Sequence, residues 1–389
     1  MLAFRLAALG LAPLALSAVS IKVLPVPFVW VGVAWAAGFW SAMFLLPRPW
    51  KRAPSFVLFN LGLLSALFAG VEGYLAWRTE PGVRFSEGYF QIDDILGTVP
   101  RKNHVEHASE SRASHRIYDV AYTINGDGLR VTSSSTGTAA EQCVLFFGDS
   151  FTFGEGLDDA DTLPYQVGSQ SGGRIKTFNF GFHGYAPNQM LASLEHGLVS
   201  RIVDCRPSVA VYSALADHVP RVTGNISYGQ QNPRYLLTAD GGVRAAGHFD
   251  DEWQSASNLS QRIRRQSAKS AIYRFIAQRR RPVTAEDIQL YFAIVRRFRD
   301  LLVATYPDIR LEVLLWRVEP DEEPLYRQLP AGFASLNIPV HRVEQALPGY
   351  TDGPHSLEYV LSPFDLHPNA RANRLLAGYV LSSLLNTQP

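Results

Sequence analysis

Cys143-Val144-Leu145-Phe146-Phe147-Gly148-Asp149-Ser150-Phe151-Thr152-Phe153-Gly154-Glu155-Gly156 is the stretch on which the reading of this chain turns. It opens with an unbroken apolar run of strand length, apolar on both faces, which suits a strand buried inside a parallel sheet. The run then breaks into a glycine-flanked turn carrying a serine. A serine held there can present its hydroxyl and its own backbone N–H to one substrate atom, the combination that acyl transfer requires. Taken alone, Gly-Asp-Ser is more often plain turn chemistry.

Outward from this stretch, similar apolar runs recur at 208–212, 311–316 and 338–341, with helical patterns at 162–167, 188–198, 285–305 and 369–385. In 285–305, Ile288, Phe292, Val295 and Leu302 fall on one stripe and Thr284 is the expected N-cap. Strands alternating with helices predict a doubly wound α/β layer, whose ligand sites lie beyond the carboxyl ends of the strands. Ahead of it, 118–124 alternates as a strand with Val120, Tyr122 and Ile124 on one face, closed by the turn Asn125-Gly126-Asp127-Gly128. Residues 131–140 are rich in Ser, Thr and Gly and read as a connector.

Two more segments carry chemistry. Asp365-Leu366-His367-Pro368-Asn369 leads into the last helix. A histidine that takes a serine proton needs an oriented partner, and a neighbouring acid supplies it through the other ring nitrogen. Asn369 also suits the helix cap, a role compatible with catalysis nearby. In Asn179-Phe180-Gly181-Phe182-His183-Gly184-Tyr185, glycines follow a short apolar stretch and permit close backbone approach to a ligand, although any βα turn reads this way.

Together and in this order, the segments resemble the SGNH/GDSL hydrolase family over roughly residues 140–389. The resemblance implies a flavodoxin-like three-layer α/β fold with a parallel sheet and a triad of Ser150 as nucleophile, His367 as general base and Asp365 as its orienter. It further implies an oxyanion hole from the N–H groups of Ser150 and Gly184 and a third-block Asn. There are two departures. Only Leu366 separates Asp365 from His367, where the family usually has two residues, and Ala216 stands where the third-block Asn belongs. His218 and Asn188 are the candidate substitute donors. Losing one oxyanion donor costs roughly 2.7–4 kcal/mol of transition-state stabilisation, which slows an enzyme without abolishing it. Cys143 and Cys205, the only cysteines, begin strands that a flavodoxin-like order makes neighbours, so a disulfide is expected in an oxidising compartment; two buried thiols are the alternative.

The chain's beginning has a different character. Residues 6–21, 27–46 and 56–77 are long apolar runs, near the about 20 residues that cross a bilayer. Arg48-Pro49-Trp50-Lys51-Arg52 between the second and third runs marks a cytoplasmic loop, which places everything after Trp77 outside. A cleaved signal peptide over residues 1–20 is the alternative for the first run. The expected organisation is therefore a membrane anchor of three transmembrane helices (1–78), a β extension and connector (79–140), and the hydrolase-like domain (141–389) with a basic helical insertion at about 220–282. Between Arg262 and Arg281, eight basic residues and no acid interleave with Leu259, Ile263, Ile272, Phe275 and Ile276, a basic amphipathic helix suited to a solvated face or to anionic lipid or polysaccharide.

With 36 Lys plus Arg against 35 Asp plus Glu, no charge field points to nucleic acid. His104, His107 and His115 lack ligand-like company, and no phosphate loop or metal-ligand spacing occurs, so no cofactor or metal is expected. The expectation is a membrane-anchored serine esterase, inner-membrane and multi-pass, with its catalytic domain periplasmic or extracellular. Its expected partners are the bilayer, a cell-surface glycan acylated with acetyl groups, and polysaccharide-assembly proteins. An O-acetyltransferase and an inactive glycan- or partner-binding module are the alternatives.

Overall fold

The computed structural model describes residues 28–45, 52–78, 83–112, 115–133, 142–226, 228–251, 267, 269–277, 281–317, 323–350 and 357–385. The chain forms two compact units, Met1–Pro81 with Glu252–Arg280, and Gly82–Asp251 with Arg281–Pro389.

In the first unit, α1 (Phe28–Leu45) packs on α2 (Arg52–Arg78). Close approach depends on a missing side chain, since a Cβ on Gly62 would run into the Trp40 indole. Among the described residues one helical stretch, Pro54–Trp77, is long and apolar enough to cross a membrane, with mean hydropathy 1.8. The apolar part of α1, Phe28–Met43, is shorter, and the run at 6–21 lies outside the described residues. The expected three-helix, multi-pass anchor is thus supported for one helix among the described residues.

Glu72, the acid inside α2's apolar run, is 2% exposed. It caps the helix Ala271–Ala277, accepting from Ser270 Oγ (2.9 Å), Ala271 N (2.5 Å) and Ile272 N (3.0 Å). This helix is the described part of the expected basic amphipathic segment; residues 252–266 lie outside the described residues.

The second unit begins with an extension of β1 (Val83–Arg84), β2 (Phe90–Asp93), β3 (Gly97–Pro100), β4 (His104–Arg112) and β5 (His115–Ile124), paired antiparallel as β1-β4-β5 and β2-β3. Its core is aromatic: Tyr89, Tyr118 and Tyr122 gather with Phe153, Phe182 and Tyr185 from the α/β part. The main sheet then forms from β6 (Gln142–Phe147), β7 (Ile175–Asn179), β8 (Pro207–Ala214), β11 (Arg310–Leu315) and β12 (Val340–Arg342). All neighbours are parallel, in the order β12-β11-β8-β6-β7. This is the flavodoxin-like order, and the chain changes direction across the sheet at β6, where a site is expected at the strand ends.

Helices cover both faces, which is why β6 is apolar throughout. Val144 and Phe146 pack with Leu163 and Val167 of α4 (Leu163–Gln170) and Leu376 of the last helix. Leu145 and Phe147 face the other way, onto Leu191 of α5 (Pro187–Glu195) and Phe298 of a long helix, Ala285–Thr305, whose N-cap is Thr284. The expected insertion at 220–282 is not wholly helical: β9 (Pro233–Leu237) and β10 (Val243–His248) form a hairpin across Asp240-Gly241-Gly242, with Gly241 at φ +77. A short hairpin, β13 (Val360–Ser362) and β14 (Asp365–Pro368), precedes the last helix.

Cys143 and Cys205 are joined, with Cα atoms 6.4 Å apart and 62 residues of separation. Neighbouring β6 and β8 bring them together, Cys143 pairing with Pro207 in the register. A closed loop of that length removes about 4 kcal/mol of denatured-state entropy. Reduction of the bridge is expected to lower unfolding free energy by about that amount; equal denaturation midpoints with and without reductant would show that it contributes nothing.

Candidate active site

The nucleophile turn is built by exclusion. Gly148 adopts φ +151, and a Cβ there would collide with Thr152 Oγ1 and press on Ser213 Cβ at 3.1 Å. Only glycine lets β6 turn directly into the short helix α3 (Ser150–Phe153). Asp149 caps that helix by accepting from Phe151 N at 3.0 Å, so Ser150 sits at its first turn, 7% exposed.

His367 Nε2 lies 2.7 Å from Ser150 Oγ, and His367 Nδ1 lies 2.5 Å from Asp365 Oδ1, which also accepts from His367 N at 3.0 Å. An ionised carboxylate only accepts, so Nδ1–H donates to Asp365 and Nε2 is left to receive the serine proton. The one-residue spacing has a geometric reason. Asp365 and His367 lie on a strand, β14, whose alternate residues share a face. Register with Ser362 and Val360 of β13 fixes that strand, and the Phe151 ring packs 5.1 Å from the imidazole.

Burial alone would lower the pKa of His367, but Glu155 and then Asp365 outweigh it and push the imidazole up to about 9. Burial raises the pKa of Asp365, and its bond to His367 more than reverses that. Behind Asp365 stands Glu110 of β4, 3% exposed, bonded by Arg112 Nε at 3.0 Å. Burial first, then the Asp365 carboxylate, push Glu110 up to about 7.

Gly184 (φ +71) belongs to a loop tied to the nucleophile by Asn179. Asn179 Oδ1 accepts from Gly181 N and its Nδ2 donates to Thr152 O, both at 3.0 Å. A Cβ on Gly181 would come within 2.6 Å of Thr152 Cβ, so this glycine allows the loop to close on α3.

The expected substitute donors are engaged elsewhere. Asn188 is buried and donates to Pro233 O at 2.8 Å. His218, fully buried at the start of α6 (His218–Val222), bonds Tyr212 Oη at 2.6 Å and faces Asp149 Oδ2 across 3.2 Å. Ala216 is 1% exposed and belongs to the apolar core. Of these, only His218 adjoins the nucleophile turn, through Asp149.

Sequence reasoning passed over the residues that hold the turn. Arg221 bridges Asp149 Oδ2 (2.7 Å), Asp217 (2.7 Å) and Tyr185 O (3.1 Å). Burial opposes charge on Asp149, yet Arg221 and His218 hold its carboxyl well below the usual range. Arg130, fully buried, donates to the carbonyls of Phe153, Gly154 and Leu157 and to Asp159 Oδ1, and lies over the Tyr122 and Phe153 rings. An arginine within an otherwise unremarkable turn carries no sequence signal of this. A cavity of about 330 Å³ lies between Leu96, Val99, Tyr185, Gln189 and Met190, and no triad residue lines it.

No family model matches the chain, and no curated protein matches it. Similar solved structures include a GDSL-like lipase from Bacteroides thetaiotaomicron, at 13% identity over 64% of this chain and 92% of that one, TM-score 0.33. Another is AlinE4, a SGNH-hydrolase family esterase, at 14% identity over 65% of this chain and all of that one, TM-score 0.32.

Removing Arg221 strands the buried Asp149. Arg221→Met is expected to destabilise the protein by about 3–5 kcal/mol. A urea midpoint equal to wild type would refute the bridging role.

Proposed function

We propose that this chain is a serine carboxylester hydrolase that removes acyl groups, acetyl above all, from a cell-surface glycan through an acyl-Ser150 intermediate. The observation that carries the reading is the line from Ser150 Oγ through His367 to Asp365, at 2.7 and 2.5 Å, drawn from separate elements that meet at the carboxyl end of β6.

In this mechanism Oγ bonds to the ester carbon as its proton passes to Nε2, and the carbonyl electron pair moves onto oxygen. Nε2 then returns the proton to the departing sugar oxygen as that C–O bond breaks. Water, deprotonated by the same nitrogen, attacks the acyl-serine and releases the acid. The N–H groups of Ser150 and Gly184 are the proposed oxyanion donors; Ala216 carries no side-chain donor. Two backbone donors suit a modest rate on sugar esters.

Support for a membrane setting comes from the one helix of spanning length among the described residues, Pro54–Trp77. Together with the basic loop before it, that helix favours a catalytic unit on the outer side of an inner membrane, where envelope glycans are made. Polysaccharide-assembly proteins remain the proposed partners.

Ser150→Ala and His367→Ala are each expected to lower turnover of an aryl acetate by about 10⁴-fold or more, with Asp365→Ala less damaging. Fluorophosphonate labelling confined to Ser150 would support the assignment, and wild-type rates in Ser150→Ala would end it. Loss of labelling together with retained glycan binding would instead favour a binding module.

His367 works as a base only when neutral, and its pKa is raised to about 9. kcat/KM is therefore expected to climb with pH, reaching half its limiting value near pH 9 rather than near 7. A pH–rate profile already flat at neutrality would contradict this.

A further inference from the structure

The loop leaving α3 carries an acid that the triad does not use. Glu155 Oε2 lies 2.6 Å from His183 Nδ1 and 3.7 Å from His367 Nε2, the same nitrogen that faces Ser150 Oγ at 2.7 Å. The side chains of Glu155 and His183 are 13% and 11% exposed. A carboxylate this enclosed is costly unless positively charged or donating groups answer it, and here imidazoles do so on two sides. Burial raises the pKa of Glu155, but His183 and His367 reverse that and hold it ionised, so His183 Nδ1–H donates to it.

His183 is itself immobilised. Its other nitrogen is 3.3 Å from Tyr89 Oη, and its ring packs on Phe153 at 4.5 Å and against Phe85 and Phe90 of the β extension. The extension thus braces the loop histidine, and the loop histidine braces Glu155.

We propose that Glu155, held by His183, is a positioning residue for acyl transfer that acts on the His367 ring nitrogen Asp365 does not reach. The proposal rests on reading Ser150 and His367 as nucleophile and base. When Oγ bonds to the acyl carbon, its proton moves to Nε2 and the ring becomes a cation. That cation then has a carboxylate at each nitrogen, Asp365 hydrogen-bonded at Nδ1 and Glu155 within 3.7 Å of Nε2. When the leaving-group C–O bond breaks, Nε2 gives the proton to the alkoxide and the ring is neutral again.

The arrangement has an opposite consequence at rest. The carboxylate that stabilises the cation in the transition state also stabilises it in the free enzyme, where a protonated Nε2 cannot accept from Ser150. Glu155 therefore sets the pH at which the nucleophile is armed. The other charged or titratable groups around His367 are Asp149 before α3, Asp365 on its own strand, and Glu110 with Arg112 behind Asp365. Tyr118 and Tyr122 of β5 lie near Glu155, and their buried hydroxyls are pushed above the usual range, so they stay neutral.

The test is the second-order rate constant for fluorophosphonate labelling of Ser150 against pH, in the detergent-solubilised full chain. Glu155→Gln keeps an oxygen to accept from His183 and removes the charge. It is expected to move the acid limb down by one pH unit or more and to lower the limiting rate at high pH about tenfold. Glu155→Asp, which keeps the charge, should stay nearer wild type, and His183→Gln should fall between. An acid limb in folded Glu155→Gln that coincides with wild type would overturn the proposal. If that variant does not fold, unchanged limbs in both Glu155→Asp and His183→Gln would overturn it equally, and an intermediate shift in His183→Gln would support it. Wild type that is never labelled at any pH would remove the reading of the triad itself, and this inference with it; labelled wild type with an unshifted Glu155→Gln removes only the inference.

Discussion

Arg130 is a guanidinium with no exposed surface, and its donors end on the carbonyls of Phe153, Gly154 and Leu157 and on the Asp159 carboxylate. Those carbonyls leave the far end of the nucleophile helix, which is four residues long and cannot satisfy them internally. A buried cation without such partners would cost several kcal/mol, and the same carbonyls without it would be left unpaired. Each therefore requires the other. Because the Arg130 backbone also bridges to Ile124 of β5 and to Asn179 of β7, this one residue ties the β extension to the turn that holds Ser150.

The near end of the same helix is held by opposite charge. Asp149 caps Phe151 N and is neutralised from below by Arg221, with His218 facing it. A buried arginine thus grips each end of a single turn of helix. Of the two residues expected to repair the oxyanion hole, His218 belongs to this support through Asp149, whereas Asn188 anchors α5 to β9.

Much of this was legible in the residues. The apolar run 143–147, the glycines around Ser150 and the His367 loop indicated a buried parallel strand, a forced turn and a nearby base, because each is a local consequence of backbone sterics and side-chain polarity. What escaped has a common cause. β4 reads His104-Val105-Glu106-His107-Ala108-Ser109-Glu110-Ser111-Arg112, and its buried positions are Glu106, Ala108 and Glu110, so no apolar alternation marks it. β7 buries Thr177 and Asn179 and is likewise masked. The hairpin at 233–248 was absorbed into an expected helix because its neighbours at 262–281 are basic and periodic.

By itself, then, the sequence determined the strand that leads into Ser150, the turn that glycine alone permits, and a loop that sets an acid beside the base; that Asp365 and His367 share one face was decided by the pairing of β14 with β13. Which polar residues became buried partners was decided only by tertiary structure. Glu155 acts on His367, Glu110 on Asp365, Arg130 on the Phe153 carbonyl and Arg221 on Asp149, across 212, 255, 23 and 72 positions respectively. Charge pairing at such separations depends on where the folded sheet and the β extension bring the chain together, and no local pattern encodes that meeting.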